Sequence, residues 1–170
     1  FVGIEGITPQ DMMCYQYPSD KKLLEIGLRG IYLGNHTHWD ANNHIELVRT
    51  QYDFEVSEEP FDRTYRTMSN LDDMHENGVH DYLKYIKFGY GRCTDHASKD
   101  IRSGVLSRGQ AIELVRQYDH VKPRDLERWL DYVGMDERTF DQICDTFRDP
   151  RVWRKIDGEW VKSNLWDRAG

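Results

Sequence analysis

The chain has 170 residues, 38% of them hydrophobic, and a net charge of −7, which is enough chain for one domain with a core. The negative charge argues against general nucleic-acid affinity, and no apolar stretch approaches the roughly 18 residues of a membrane helix. Three widely spaced cysteines, Cys14, Cys93 and Cys144, form no CxxC pair. We therefore expect no zinc site built from cysteines and a reducing, cytoplasmic location.

The first part of the chain predicts two helices and two short strands. In chain order these are a helix at 20–26, a strand at 30–34, a helix at 41–52 and a second strand at 54–59. Ser19 and Asp40 can each supply the side-chain oxygen that caps a helix. The first strand is an apolar run bounded by glycines, which predicts burial. The loop after it, 35–39, would lie where open α/β sheets bind ligands.

The remainder predicts mostly helices and a final hairpin. In chain order these are helices at 69–76, 79–88, 107–118, 123–133 and from 137 onward, then a hairpin at 152–162. Ser107 and Gln110 match a capping box, and Asp157-Gly158 is typical of a type I′ turn. The last helix is expected to bury Phe140, Ile143 and Phe147. The predicted fold class is mainly α with a small β component.

Positive charge is concentrated in the segment 84–108. It holds six basic residues but only two acidic ones, so it carries +4 while the rest of the chain carries −11. A basic segment in an acidic protein indicates a local anionic ligand rather than a polyanion. Gly89, Gly91 and Gly104 bracket the charged side chains and favour tight turns and close approach of the backbone to a ligand.

Seven residues of this part of the chain are candidates for the site. The catalytic candidates are His96 and Asp95, and the substrate- or phosphate-binding candidates are Lys87, Arg92, Lys99, Asp100 and Arg102. Arginine binds phosphate through two parallel hydrogen bonds, lysine supplies a compact charge, and histidine can carry a proton near neutral pH. Adjacent side chains diverge, so the partner of His96 should come from elsewhere than Asp95. The alternative is a solvated turn with local Asp–Arg pairs.

The string KFGYGRCTDHASKDIRSG, residues 87–104, resembles the signature of the N-acetyl sugar amidotransferase family. Other strings are similar to family landmarks and follow in family order: GIYLGN at 30–35, SNLD at 69–72, HDYLKY at 80–85 and SRGQAIELV at 107–115. The similarity spans roughly residues 7–166. Several long strings in the correct order are far more specific than one short motif.

The resemblance implies an ATP-dependent enzyme of surface-polysaccharide biosynthesis. Such an enzyme adenylates the N-acetyl carbonyl of a nucleotide-linked sugar, and ammonia then displaces AMP to leave an acetamidino group. The ammonia would come from glutamine through glutaminase and cyclase-like partners. The resemblance also implies that residues 1–68 are the end of an α/β domain of PP-loop type and that residues 69–170 are a mainly helical C-terminal region.

The family's ATP-binding loop, of the type Ser-Gly-Gly-x-Asp-Ser, is not found in this sequence. The resemblance therefore implies that ATP and Mg²⁺ are bound mainly by an upstream region, and that this chain alone is inactive. Asp95 and Asp100 would order the arginines in preference to binding magnesium. Cys93 replaces a residue that is usually small in the family, which favours simple packing.

Two other interpretations stay open. The helices between residues 107 and 148 could form a helix-turn-helix DNA-binding domain. The many acidic residues of that stretch argue against DNA binding. A non-catalytic domain could instead dock the partner subunits through an exposed hairpin bearing Trp153 and Trp160. His36, His38 and His44 do not have a standard zinc spacing, so no metal site is expected there.

Overall fold

The computed structural model describes residues 2–68, 75, 77–164, 166 and 167. The chain divides into two compact units, Phe1–Phe54 and Glu55–Gly170. Helices dominate both units, and the strands of the described residues form a single two-stranded hairpin. The predicted fold class, mainly α with a small β component, is confirmed. None of the helices among these residues is long and apolar enough to cross a membrane.

The first unit contains two helices at the predicted positions. Helix α1 spans Asp20–Ile26 and helix α2 spans Ala41–Gln51. Each predicted cap is present, because the side chains of Ser19 and Asp40 accept backbone N–H groups from the first turn of the helix that follows. Gly27 then ends α1 in the left-handed conformation.

Both strands predicted before residue 60 are wrong. Residues 30–34 are exposed coil leading into a 3-10 turn at Leu33–Asn35, and the side chains of Ile31 and Tyr32 are 63% and 83% exposed. Residues 54–59 are also irregular. None of residues 2–54 is buried. A strand needs a hydrogen-bonded neighbour and a core to cover it, and the described part of the first unit supplies neither for residues 30–34.

The second unit contains five helices, all within its described residues: α3 at Asn77–Phe88, α4 at Arg92–Arg102, α5 at Arg108–Tyr118, α6 at Leu126–Val133 and α7 at Glu137–Thr146. The predicted capping box of Ser107 and Gln110 opens α5. Pro123 precedes α6 instead of beginning it. The helix predicted at 69–76 falls, apart from residue 75, outside the described residues.

Helix α4 occupies residues 92–102 of the basic segment, where the sequence analysis predicted no helix and gave a solvated turn as the alternative to a ligand site. Its buried positions are Cys93, Ala97 and Asp100, which recur at helical spacing. Cys93 and Ala97 pack with Ala111 and Val115 of α5 in a small buried cluster. The glycines lie outside the helix, so they bound it and do not interrupt it.

A larger cluster joins α3, α6 and α7, and its buried members are Val79, Tyr82, Ile86, Leu126, Leu130, Phe140 and Cys144. The predicted burial of Phe140 is confirmed, but Ile143 and Phe147 are 40% and 49% exposed. Cys144 takes the inward position because it lies one turn after Phe140 on the same side of α7.

The predicted hairpin is confirmed, with β1 at Trp153–Ile156 and β2 at Glu159–Lys162 in antiparallel register. Asp157 and Gly158 both have positive φ angles, as a type I′ turn requires. Trp153 was expected to be an exposed docking residue, but it is buried. Its side chain is 4% exposed and meets the ring of Tyr85 edge-on, with ring centroids 5.4 Å apart.

Candidate functional site

Helix α4 carries six of the seven candidate residues. Arg92, Asp95, Lys99 and Arg102 recur at spacings of three and four residues, which places them on one side of the helix with His96 beside them. We call these five residues the α4 polar face. The sixth candidate, Asp100, lies one turn after His96 and is buried. Lys87, the seventh, is exposed on α3.

The start of α4 is capped by a residue that the sequence analysis missed. Gly91, at the cap position, has no side chain to satisfy the first N–H groups. The buried carboxylate of Asp119 accepts the Gly91 N–H at 2.9 Å, the Thr94 N–H at 3.1 Å and the Thr94 hydroxyl at 2.5 Å. Asp119 thus positions the N-terminal end of the polar face.

Arg63, also missed, supports Asp119 from the core. Its guanidinium is 2% exposed and donates to the backbone carbonyls of Asp119 and Val121. It also lies over the rings of Tyr82 and Tyr85, at 5.3 and 5.7 Å from their centroids. Burial lowers the pKa of Arg63, and the charge of Asp119 opposes that shift. Because it is enclosed in this way, Arg63 is a structural residue.

Two ion pairs link α4 to α3. The guanidinium of Arg92 holds both carboxylate oxygens of the buried Asp81, with Nε–Oδ2 at 2.9 Å and Nη2–Oδ1 at 2.7 Å. These hydrogen bonds raise the pKa of Arg92. One turn further along each helix, Lys84 pairs with Asp95. Arg92 and Asp95 are therefore both engaged inside the protein, and their predicted roles toward a ligand stay predictions.

Asp100 ties α4 to the irregular segment that precedes α3. Its carboxylate accepts hydrogen bonds from Arg66, at 2.7 Å, and from the hydroxyl of Tyr65. The side chains of Arg66 and Asp100 are 10% and 5% exposed. Burial and the hydrogen bond to Asp100 raise the pKa of Tyr65. Asp100 therefore orders an arginine, as expected of it, but the arginine lies outside the predicted set.

His96 has a partner from outside the polar face. Its Nδ1 lies 2.7 Å from the hydroxyl of Thr64, and the ring of Tyr65 stands edge-on to the imidazole with centroids 6.5 Å apart. Burial lowers the pKa of His96 to about 4, helped by the positive charges of Arg66, Arg92 and Lys99. The imidazole is therefore neutral at physiological pH and acts as a hydrogen-bonding group.

Four cations of the basic segment have no acidic partner among the described residues: Lys87, Lys99, Arg102 and, at the start of α5, Arg108. Lys99 and Arg102 lie in the last turn of α4, where positive side chains also complement the helix C-terminus. The charge of Lys99 reaches His96, since it contributes to the lowered pKa of the imidazole. The capacity to bind an anion is therefore at the C-terminal half of the polar face and at Lys87.

Among the residues that the structure describes, no three His, Cys, Asp or Glu side chains lie together as a metal site would require. His36, His38 and His44 are exposed or half-buried residues of the first unit.

A family model described as "LPS biosynthesis protein WbpG-like, C-terminal domain" matches residues 46–166. The matched region contains α3 to α7 and the hairpin, and thus the whole polar face. No curated protein matches the chain.

Proposed function

The chain belongs to the family of WbpG-like C-terminal domains of lipopolysaccharide biosynthesis proteins, and we propose that it is part of an ATP-dependent N-acetyl sugar amidotransferase. In this proposal the α4 polar face binds the anionic portion of a nucleotide-linked sugar. The N-acetyl group of that sugar becomes an acetamidino group. The general role in polysaccharide biosynthesis follows from the family, and the reaction is our proposal.

The observation that carries the proposal is the division of the basic segment into paired and unpaired cations. Lys84 and Arg92 are held by acids of the neighbouring helix, whereas Lys99 and Arg102 project from one side of α4 without an acidic partner among the described residues. In a chain of net charge −7, such a local positive surface favours a diphosphate or a carboxylate. A nucleotide-linked sugar carries the first and often the second.

The proposed chemistry assigns different tasks to different parts of the enzyme. ATP transfers its AMP group to the N-acetyl oxygen and releases pyrophosphate, because an amide oxygen is otherwise a poor leaving group. Ammonia then adds to the activated carbon, AMP departs and a proton is lost. ATP and Mg²⁺ would be bound mainly by an upstream region, and glutaminase and cyclase-like partners would supply the ammonia.

Within this scheme, Lys87, Lys99 and Arg102 hold the anionic groups of the substrate, and donors aimed at developing charge lower the barrier. Neutral His96, fixed by Thr64, remains the catalytic candidate as a hydrogen-bonding group near the incoming ammonia. Asp95 is the second candidate, through its pairing with Lys84.

Calorimetric titration of the full chain tests the proposal, with UDP-N-acetylglucosamine and MgATP as separate ligands. We expect the sugar nucleotide to bind and Arg102→Ala to weaken binding roughly tenfold, as for loss of a charge-assisted hydrogen bond. Arg128→Ala is the matched control, since Arg128 is an exposed arginine on α6. Failure of a folded chain to bind the sugar nucleotide, or equal affinity of the two variants, would remove the polar face as the substrate site.

A further inference from the structure

Two half-exposed aromatic rings lie side by side where α3 meets α4. Phe88 is the last residue of α3 and Tyr90 precedes the cap of α4. Their ring centroids are 6.1 Å apart with the planes tilted by 36°, and the residues are 49% and 43% exposed. The neighbouring aromatic residues of α3, Tyr82 and Tyr85, turn toward the core. The Phe88–Tyr90 pair therefore presents aromatic surface that the core does not use.

Lysines lie against both rings. The Nζ of Lys84 is 4.7 Å from the centroid of Tyr90, and the Nζ of Lys87 is 5.3 Å from that of Phe88. Lys84 also pairs with Asp95 on α4. Lys84 thus connects the Tyr90 ring to the N-terminal half of the α4 polar face. Lys87, a cation of the proposed anion site, itself lies against Phe88, so the aromatic pair adjoins that site.

We propose that the Phe88–Tyr90 pair is the subsite for the nucleobase of a nucleoside diphosphate. The base would stack on the rings, and the diphosphate would point toward Lys87 and the α4 polar face. This inference rests on the proposed function, because it names the part of the nucleotide-linked substrate that the segment before α4 recognises.

The combination of groups favours this ligand class over others. Every nucleobase has a π-face that stacks on an aromatic side chain. Such stacking contributes substantially to affinity and depends little on which base is present. A purely apolar ligand would not require flanking lysines, whereas a free phosphate would not require the rings. A nucleoside diphosphate uses both within one molecule.

Three ligands are titrated into the full chain: UDP-N-acetylglucosamine, UDP and inorganic pyrophosphate. Their comparison separates the contributions of the N-acetyl sugar, the nucleoside and the diphosphate to the affinity. The test variant is Tyr90→Leu, which keeps apolar bulk but removes the π-face, and Tyr90→Phe is the conservative variant that keeps it. Tyr132→Leu is the matched control, since Tyr132 is 89% exposed on α6. Saturation transfer from the protein to the uracil protons is measured alongside, because it reports contact with the base directly.

We expect Tyr90→Leu to weaken the binding of UDP and of the sugar nucleotide by roughly 5- to 150-fold, the range of base–aromatic stacking, while the affinity for pyrophosphate is unchanged. Tyr90→Phe should bind like the unmodified chain, and saturation transfer should be strong at the uracil protons.

Unchanged UDP affinity in Tyr90→Leu, or saturation transfer confined to the sugar, would overturn the nucleobase subsite while the proposed function survives. If neither the nucleotides nor pyrophosphate bind to a chain with a native circular dichroism spectrum, the proposed substrate site itself is refuted. An equal loss for pyrophosphate in Tyr90→Leu would also overturn the inference, because the ring would then act by shaping the anion site.

Discussion

Asp119 and Thr94 are 25 residues apart in the sequence, yet the Asp119 carboxylate accepts both the backbone N–H and the hydroxyl of Thr94, at 3.1 and 2.5 Å. The end of α5 therefore caps the beginning of α4. This long-range cap fixes the helix that carries the candidate site, so the stability of the fold and the geometry of the polar face depend on the same carboxylate.

Asp119→Ala is expected to lower the free energy of unfolding by about 2–3 kcal/mol, since it leaves buried N–H groups of Gly91 and Thr94 unsatisfied. Urea unfolding monitored by circular dichroism measures the change. Asp131→Ala removes an exposed aspartate of α6 and should alter stability by less than about 0.5 kcal/mol. Equal stability of the two variants would mean that water replaces the cap without cost.

Gly91 is required for space and not for an unusual backbone angle. A Cβ at this position would lie 2.9 Å from Oδ1 of Asp119 and 3.1 Å from Nη2 of Arg63. We expect Gly91→Ala to destabilise the chain by about 1–3 kcal/mol, the range of overpacking. Gly109→Ala is the control, because a Cβ there meets nothing within 4 Å and alanine favours helix α5 by up to about 1 kcal/mol. In thermal unfolding the two variants should shift in opposite directions, and a shift of both in one direction would contradict this account.

The ion pair between Asp81 and Arg92 is expected to stabilise the fold. We also expect this stabilisation to depend on the planar, two-pronged shape of the guanidinium. Arg92→Ala leaves a buried carboxylate without its partner and should cost about 2–3 kcal/mol, less than a fully buried pair because the Arg92 side chain is 24% exposed. Arg92→Lys keeps the charge but loses the two-pronged contact, so it should recover only part of that loss.

Chemical denaturation of these variants checks the prediction. The control is Arg116→Ala, which breaks the exposed pair with Glu113 and should change stability by less than about 1 kcal/mol. Full recovery by Arg92→Lys would show that charge alone matters at this position.

Helix caps and the hairpin turn could be predicted because their signals are local. The side chains of Ser19 and Asp40 each accept N–H groups two or three residues further along the chain, and the Asp157-Gly158 turn joins adjacent strands. Such interactions involve only a few consecutive residues. A single sequence is therefore enough to locate them.

The strand at 30–34 was predicted wrongly and helix α4 was not predicted, for a common reason: both segments depend on distant partners. An apolar run becomes a strand only where another strand can pair with it. Helix α4 was missed because glycines flank it and charged residues fill it. One of its inward positions is Asp100, which can be buried only because Arg66 and Tyr65 come from a separate segment to meet it.

The candidate residues were chosen from the sequence, but the partners of their side chains could not be. Arg92 and Asp95 were singled out as ligand or catalytic residues, yet each pairs with a residue eleven positions earlier on another helix. His96 needed a partner from elsewhere, and Thr64, 32 positions earlier, provides it. Sequence spacing identifies the face of a helix but not the residue that packs against it.

The three cysteines should differ sharply in reactivity. Cys14 is exposed, whereas Cys93 and Cys144 are buried, and burial raises their pKa values to about 12 and about 11. Iodoacetamide at neutral pH should therefore modify Cys14 in the folded chain and the other two only after unfolding. Mass spectrometry of peptides after a short exposure measures this, and Cys14→Ser should abolish the fast modification. Rapid labelling of Cys93 in the native chain would contradict the packing of α4 against α5.

His96 should make the stability of the chain depend on pH below neutrality. Its pKa in the folded chain is lowered to about 4 by burial and by neighbouring positive charges, whereas an unfolded histidine protonates near 6.5. Below about pH 6.5 the unfolded state therefore binds more protons, so this contribution to stability is present above that pH and is lost as the pH falls toward about 4.

The control for that prediction is His96→Gln, because glutamine can still hydrogen-bond to Thr64 but does not titrate. The unfolding free energy of the unmodified chain, measured relative to that of His96→Gln, should fall as the pH is lowered from about 6.5 to about 4. Above that window the difference between the two chains should be constant. An NMR titration of the imidazole, assigned by the signal missing from His96→Gln, should give a midpoint well below 6.5. A midpoint at 6.5 would mean that His96 is charged in a fraction of the molecules near neutrality, and the neutral hydrogen-bonding role proposed for it would have to be replaced by one in which it carries the proton.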